Sequence, residues 1–421
     1  MHAIEKLLAV KSGRERVHAG EIVSCTVDYA GINDLYYQTV KSFYEMGGTK
    51  VAAPEKVILF FDHYAPCATE KQADNHRKFR AFAQEQGIGH LMDINEGVCH
   101  QLMADYGFSK PGEIMVITDS HTTTHGAFGA FGTGVGATDL AIILATGKLW
   151  FKVPEVIRIN LVGKLPQGVY AKDVILHIIG DLKADYGVYK AVEFVGPVLQ
   201  EFSISERMAL CNMTTEMGAK TSFIQPDEIT RKFLADRGVT DYTVYETDDD
   251  YAYAADLTYD VSKLEPQLAA PFSVDNVHPL AQLAGKHIDQ AYLGSCTGGR
   301  TEDFAIAAQI LQGRKIQAGT RMVLVPASRF VLRECLEKGY IQTLLEAGAT
   351  LTASGCAACL GIHQGLLAEG ETCISSTNRN FPGRMGSVKG EIYLGSPAAV
   401  AVAALKGEIA DPREVLERSE A

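Results

Sequence analysis

No stretch of this 421-residue chain is apolar for long enough to cross a bilayer. The longest apolar runs, LAIILAT at 140–146 and AAVAVAAL at 398–405, fall well short of the roughly 18 residues a spanning helix requires. The N-terminal segment MHAIEKLLAVKSGRERV lacks the apolar core and small-residue cleavage site of a signal peptide. It reads as a short amphipathic helix followed by a charged turn, and a cytoplasmic setting is expected. Basic residues are outnumbered, 39 against 51, and the net charge of -12 opposes nonspecific nucleic-acid binding, which needs Lys and Arg to meet phosphates. An anionic substrate would therefore have to meet locally clustered arginines. Walker and HExxH motifs, internal repeats and low-complexity tracts are all missing. What remains is an ordinary globular composition, 47% hydrophobic and 21% charged, long enough for about two to four domains.

The nine cysteines, at 25, 67, 99, 211, 296, 335, 356, 359 and 373, make an odd count in a long chain, which argues for reduced thiols rather than a disulfide framework. A free cysteine packs as a small hydrophobe, so most of these are expected in the core. Cys296 in LGSCTGGRTED and Cys356 and Cys359 in SGCAACLG differ, because glycine-rich sequence surrounds them. A C-x-x-C pair alone fits a redox couple, a zinc half-site or core packing. Zinc normally wants four ligands, and no second C-x-x-C exists; a thioredoxin-like pair belongs early in a small βαβ domain. The third thiol favours a cluster, since Cys296, like Cys356, follows a strand and a glycine. Three thiolates are typical iron-sulfur ligands and leave one iron of a cubane open.

Short buried strands, VILFFDH at 57–63 and IMVITDS at 114–120, end in polar residues, and helical patterns follow: TEKQADNHRKFRAFAQEQG and ATDLAIILATGKLW. Strand, polar tip and helix is the order of parallel α/β layers, in which ligands gather at the carboxyl ends of strands. A second block opens with VPEVIRINLVGKLPQG, expected as a strand pair with a turn, and runs through the helical ISERMALCNMTTEMGA to the acidic loop ETDDDYAYA. The proline-containing YDVSKLEPQLAAPFSVDNVHPL reads as a linker or an extended strand. The α/β pattern then resumes with AYLGSC, a helix over TEDFAIAAQILQG, the strand RMVLVPAS, a helix, and the strand ATLTASG. Boundaries near 155 and 257 give three α/β domains, 1–155, 156–256 and 257–421, the last carrying the three cysteines.

The glycine-rich run at 126–140, GAFGAFGTGVGATDL, does not give G-x-G-x-x-G after a strand, so close packing of a loop against a helix start is the expectation rather than nucleotide binding. Asp62-His63 and Asp119-Ser120-His121 lie at strand ends, with His100 in EGVCHQL and Glu216 in CNMTTEMG elsewhere. A carboxylate beside an imidazole fixes its tautomer and raises its pKa, which suits it to protonate a departing hydroxyl. Arg379 and Arg384 in SSTNRNFPGR present planar forks that grip carboxylates bidentately.

Taken together, VITDSHTTTHGAFGAFGTGVG, CNMTTEMGA, YLGSCTGGRTED, SGCAACLG, SSTNRNFPGRMG and LGSPAAVAVAALKG resemble the aconitase superfamily in family order. The resemblance is greatest to the large subunits of the 3-isopropylmalate dehydratase, homoaconitase and 2,3-dimethylmalate dehydratase group. It implies three α/β/α layered domains around a central iron-sulfur cleft, without the swivelling fourth domain. It implies that Cys296, Cys356 and Cys359 hold a 4Fe-4S cluster with one iron not ligated by protein. It makes Asp62, His63, His100, Asp119, His121 and Glu216 catalytic, with His63 donating a proton to the departing hydroxyl. Gln38, Ser120, Asn212, Asn378, Arg379 and Arg384 become substrate-binding residues.

The implied activity is a hydro-lyase acting on a 2-hydroxy dicarboxylate. The leading expectation is the conversion of 2-isopropylmalate to 3-isopropylmalate in leucine biosynthesis, with homoaconitase and 2,3-dimethylmalate dehydratase as alternatives. In this family the base is a serine on the mobile fourth domain, for which this chain leaves no room. A small subunit carrying that domain and its catalytic serine is therefore expected as partner. Tyr36 stands where relatives usually carry Thr, and Gly298 where they usually carry Asn. An apo form acting as an RNA-binding regulator is an alternative of another class, against which the negative charge counts, and a C-x-x-C redox protein is a third.

Overall fold

A computed structural model describes residues 1–416 and separates into two compact units. The first comprises Met1–Ile94, Leu102–Val162 and Asp185–Tyr259; the second comprises Asn95–Gln101, Gly163–Ala184 and the described residues from Asp260 to Leu416.

In the first unit five parallel strands run in the order His90–Met92, Val57–Phe60, Tyr29–Asn33, Ile114–Ile117, Phe131–Gly134. Every residue of Val57–Phe60 and Ile114–Ile117 is buried, as expected of central parallel strands covered on both faces. After Tyr29–Asn33 the chain adds two strands on one side, then returns to place Ile114–Ile117 on the other. That reversal opens a crevice at the carboxyl ends of Tyr29–Asn33 and Ile114–Ile117, the usual place for a ligand in a doubly wound sheet. A second sheet in the order Thr221–Ile224, Ala191–Val195, Val156–Val162, Ala255–Asp260 completes the unit with an antiparallel ribbon of Ile22–Thr26 and Lys148–Lys152.

The second unit holds seven strands: Val277–Pro279, Gln267–Ala269, Glu391–Leu394, Thr372–Ser375, Gln290–Gly294, Arg321–Val325 and Thr350–Leu351. The last five are parallel, and their order again reverses at Gln290–Gly294, beside Thr372–Ser375. The helix Pro397–Lys406 is apolar all round and buried, so it packs in the core of this unit rather than in any membrane. No helix among the described residues is long and apolar enough to cross a membrane.

Local signals account for many element ends. The N-terminal helix Ala3–Ser12 starts at a capping box made by His2 and Glu5 and stops at Gly13 in the left-handed region. The helix Glu70–Gln86 starts at a second capping box, made by Thr69 and Gln72. Three expectations need correction. The helix over 137–150 ends at Thr146, because Gly147 (φ 70°) caps it and Lys148–Lys152 pairs with Ile22–Thr26 instead. The strand pair expected in VPEVIRINLVGKLPQG is one strand, Val156–Val162, after which Gly163 (φ 91°) turns the chain and Lys164 N donates to Ser262 Oγ at 3.3 Å. The proline-containing segment holds two short antiparallel strands, Gln267–Ala269 and Val277–Pro279, rather than a linker.

Candidate active site

The crevice of the five-stranded sheet collects most of the acid and imidazole groups. Asn33 ends its strand and exchanges hydrogen bonds with Thr118 Oγ1, both at 3.0 Å. Its Nδ2 then donates to both carboxylate oxygens of Asp62, at 3.0 and 2.9 Å. Asp62 is fully buried and its Oδ1 lies 2.7 Å from His63 Nδ1. The far ring nitrogen of His63 is 3.8 Å from Asp119 Oδ2. Burial alone would depress the imidazole, but Asp62, backed by Asp34 and Asp119, outweighs it and pushes His63 up to about 9. The ring is therefore held as a charged proton donor at neutral pH.

A second pair lies close by in the same unit. Asp119 caps the 3₁₀ segment Ser120–Phe128 by accepting from His121 N at 2.8 Å, and His121 Nε2 is 2.8 Å from Glu216 Oε1. Ser120 is exposed, its hydroxyl 3.5 Å from His121 Nδ1. Asn212 ends the helix Ile204–Asn212, with its Nδ2 donating to Thr124 Oγ1 at 2.8 Å and its carbonyl accepting from Thr123 at 3.2 Å. Gln38 opens the helix Gln38–Glu45, where its amide reaches Ser42 Oγ at 3.3 Å, and Tyr36 in the preceding turn is exposed. The glycine run behaves as close packing: a Cβ on Gly134 would sit 2.4 Å from the Asp119 carbonyl, so glycine is what lets the Asp119 turn press against its neighbouring strand.

The second unit supplies the thiols. Cys296, Cys356 and Cys359 are buried, and Cys296 leaves the strand Gln290–Gly294 beside the reversal of that sheet. Asn378, just past the neighbouring strand Thr372–Ser375, bridges two of them. Its Nδ2 donates to Cys296 Sγ at 3.4 Å and its Oδ1 accepts from Cys359 Sγ at 3.7 Å. Tyr292 OH donates to the Cys356 carbonyl at 3.2 Å. The fully buried Lys172 donates to the carbonyls of Ser376 (3.2 Å) and Thr377 (2.7 Å), fixing the segment that presents Asn378. Arg379 and Arg384 are half-buried on the same loop. His100 belongs to this unit as well: Val98 N donates to Ala327 O at 2.8 Å and Gln101 Oε1 accepts from Arg300 Nε at 2.9 Å, clasping its segment.

The sequence model of the aconitase family (aconitate hydratase) matches residues 6–287 and 281–407. The chain belongs to the aconitase family. It is 49% identical over 413 residues to "3-isopropylmalate dehydratase large subunit 1" of Methanopyrus kandleri, covering 98% of this chain and 99% of that protein. It is 48% identical over 390 residues to "Probable methanogen homoaconitase large subunit" of Methanosarcina mazei, covering 92% of this chain and 99% of the other. Among solved structures, aconitase X of Thermococcus kodakaraensis has the same fold, with a TM-score of 0.53 at 11% identity over 95% of both chains.

An iron-sulfur cofactor goes with the aconitase family, and the thiols suit one. Two non-glycine residues beside them adopt left-handed backbone, Ser295 (φ 69°) and Ala357 (φ 46°), a conformation that persists only where the surroundings impose it. The hydroxyls of Ser295 and Ser354 are buried without a hydrogen-bond partner among the described residues. Among the other cysteines, Cys211, Cys335 and Cys373 are pushed up to about 12 and Cys25 to about 11, chiefly by burial. Sequence reasoning missed Asn33, Asp34, Lys172 and Tyr292. Asn33 and Asp34 stand five and four residues before Gln38 in the segment NDLYYQ, and a polar pair closing an apolar strand was the available signal.

Proposed function

We propose that this chain is the large subunit of a 4Fe-4S hydro-lyase that converts 2-isopropylmalate to 3-isopropylmalate. The observation that carries the reading is the Asp62-His63 pair, a buried carboxylate holding an imidazole in its charged form, within a chain of this family. Cys296, Cys356 and Cys359 would hold the cluster, whose iron without a protein ligand supplies Lewis acidity toward the substrate hydroxyl and a carboxylate.

The remaining steps belong to side chains of this chain and of its partner. His63 gives its proton to the departing hydroxyl, and Asp62, with both oxygens tied to Asn33, keeps the ring oriented. Glu216 does the same for His121, and Asp119 and His100 complete the acid-imidazole set. Arg379 and Arg384 grip a substrate carboxylate, with Asn378, Asn212, Ser120 and Gln38 lining the site. The base that removes the carbon-bound proton is expected on a small subunit, as the "large subunit" names of relatives with near-equal length suggest. The division into domains 1–155, 156–256 and 257–421 and a cytoplasmic setting belong to the same proposal.

A second reading, homoaconitase, is favoured by the 48% identity to a relative of that name. The test is to reconstitute the cluster anaerobically, add the small subunit and assay 2-isopropylmalate, homocitrate, dimethylmalate and citrate side by side. Preference for 2-isopropylmalate supports the leading reading, preference for homocitrate transfers it to the second, and turnover of none contradicts both.

A further inference from the structure

Eight of the nine cysteines are buried, and Cys67 alone reaches the surface. Its sulfur lies 3.2 Å from Nδ1 of His76, whose other ring nitrogen is 2.9 Å from Asp34 Oδ2. Thiol, imidazole and carboxylate are thus in series, the arrangement that lets a base take a thiol proton while an acid orients the base. His76 is buried and stacked on Phe61 at a centroid distance of 4.0 Å and 12°, and this stack together with the Asp34 hydrogen bond orients the imidazole. Asp34 is fully buried and accepts from His63 N at 3.1 Å and Tyr64 N at 2.8 Å. The series therefore ends on the backbone that carries His63.

None of these three residues acts on substrate in the reaction above. We propose that Cys67 is a thiol-exchange site, activated by His76 and mechanically linked to His63 through Asp34. The co-reactant is a low-molecular-weight disulfide. Burial, and the Asp34 charge, raise the Cys67 thiol, so the thiolate forms by proton transfer to His76 during attack rather than standing ready. Cys67 sulfur bonds to one sulfur of the disulfide, the disulfide bond breaks, and the released thiolate takes the proton from His76. Cys67 is oxidised to the mixed disulfide and the leaving half is reduced to its thiol. The adduct cannot keep the thiol contact with His76, so Asp34 and the 62–64 backbone shift and His63 loses its alignment.

The test treats the cluster-loaded, partner-bound protein anaerobically with glutathione disulfide, mapping adducts by peptide mass and following cluster absorbance and hydro-lyase activity. Cys67 should be the first site modified, at least tenfold faster than any other cysteine. His76→Gln should slow that labelling about tenfold with Cys67 still present. Activity should fall as the adduct forms, with cluster absorbance unchanged, and return with dithiothreitol. Cys67→Ser should keep full basal activity and resist the disulfide. First modification elsewhere, an unchanged rate in His76→Gln, or full activity in the Cys67 adduct would each overturn the proposal. The mass readout needs no substrate, so a wrong substrate assignment shows as missing activity before treatment and leaves the labelling result standing.

Discussion

Asp62 decides the protonation of His63, and the direction of that effect can be worked out. A histidine raised from 6.5 to about 9 keeps its proton through neutral pH and loses it as pH rises through about 9. Proton donation should therefore fail on the alkaline side, and the stability gained from the ion pair, complete below pH 6.5, should fade over the same window. Asp62→Asn removes the largest charge holding that proton. We expect kcat to fall about 10²-fold or more and the alkaline limb of the pH profile to move down by at least one pH unit. A profile unchanged in position would separate His63 from that limb. Gly298 allows a second test at this scale, because a side chain there would meet Cβ and Oγ of Ser376 at 2.3 Å. Gly298→Asn should cost about 1–3 kcal/mol of stability, read as a lower Tm, since Ser376 is locked to Gly294 N.

Elements, rather than single residues, explain why the site residues sit at strand ends. Both parallel sheets reverse their strand order, and the reversal places Asn33 and Thr118 side by side in one, Cys296 and Asn378 near each other in the other. The apolar runs 57–60 and 114–117 made the strands legible, and glycine after an apolar strand marked the cysteine turns. The interruption at Gly147 was harder to see, because KLW continues an apolar pattern and only pairing with Ile22–Thr26 makes it a strand. Lys172 was invisible for a related reason: it opens the amphipathic helix Ala171–Leu182, and its carbonyl acceptors lie more than 200 residues away. Lys172→Met should take the lysine donor from both carbonyls, leaving Ser376 O only its bond from Thr297 Oγ1 at 2.9 Å, lower stability by about 2 kcal/mol and speed iron loss to a chelator severalfold. An unchanged loss rate would show that the Asn378 segment holds its position without the lysine.

Across the whole molecule, legibility divided by the length of the interaction. Residue types at local spacing, such as Asp-His, Cys-x-x-C and the arginine loop, were visible in sequence and sufficed to indicate the family. The groups that orient them, Asn33 on Asp62, Asn378 between two thiols and Asp34 beneath His63, depend on contacts spanning 19 to 82 residues and emerge only from the fold. The central claim of the proposed function is that Cys296, Cys356 and Cys359 hold a 4Fe-4S cluster. It is tested most directly by counting iron and sulfide in the anaerobically reconstituted protein and in Cys356→Ser. The account predicts a brown wild-type protein with four of each per chain and a variant that loses both colour and activity. A colourless wild type holding stoichiometric zinc would contradict it.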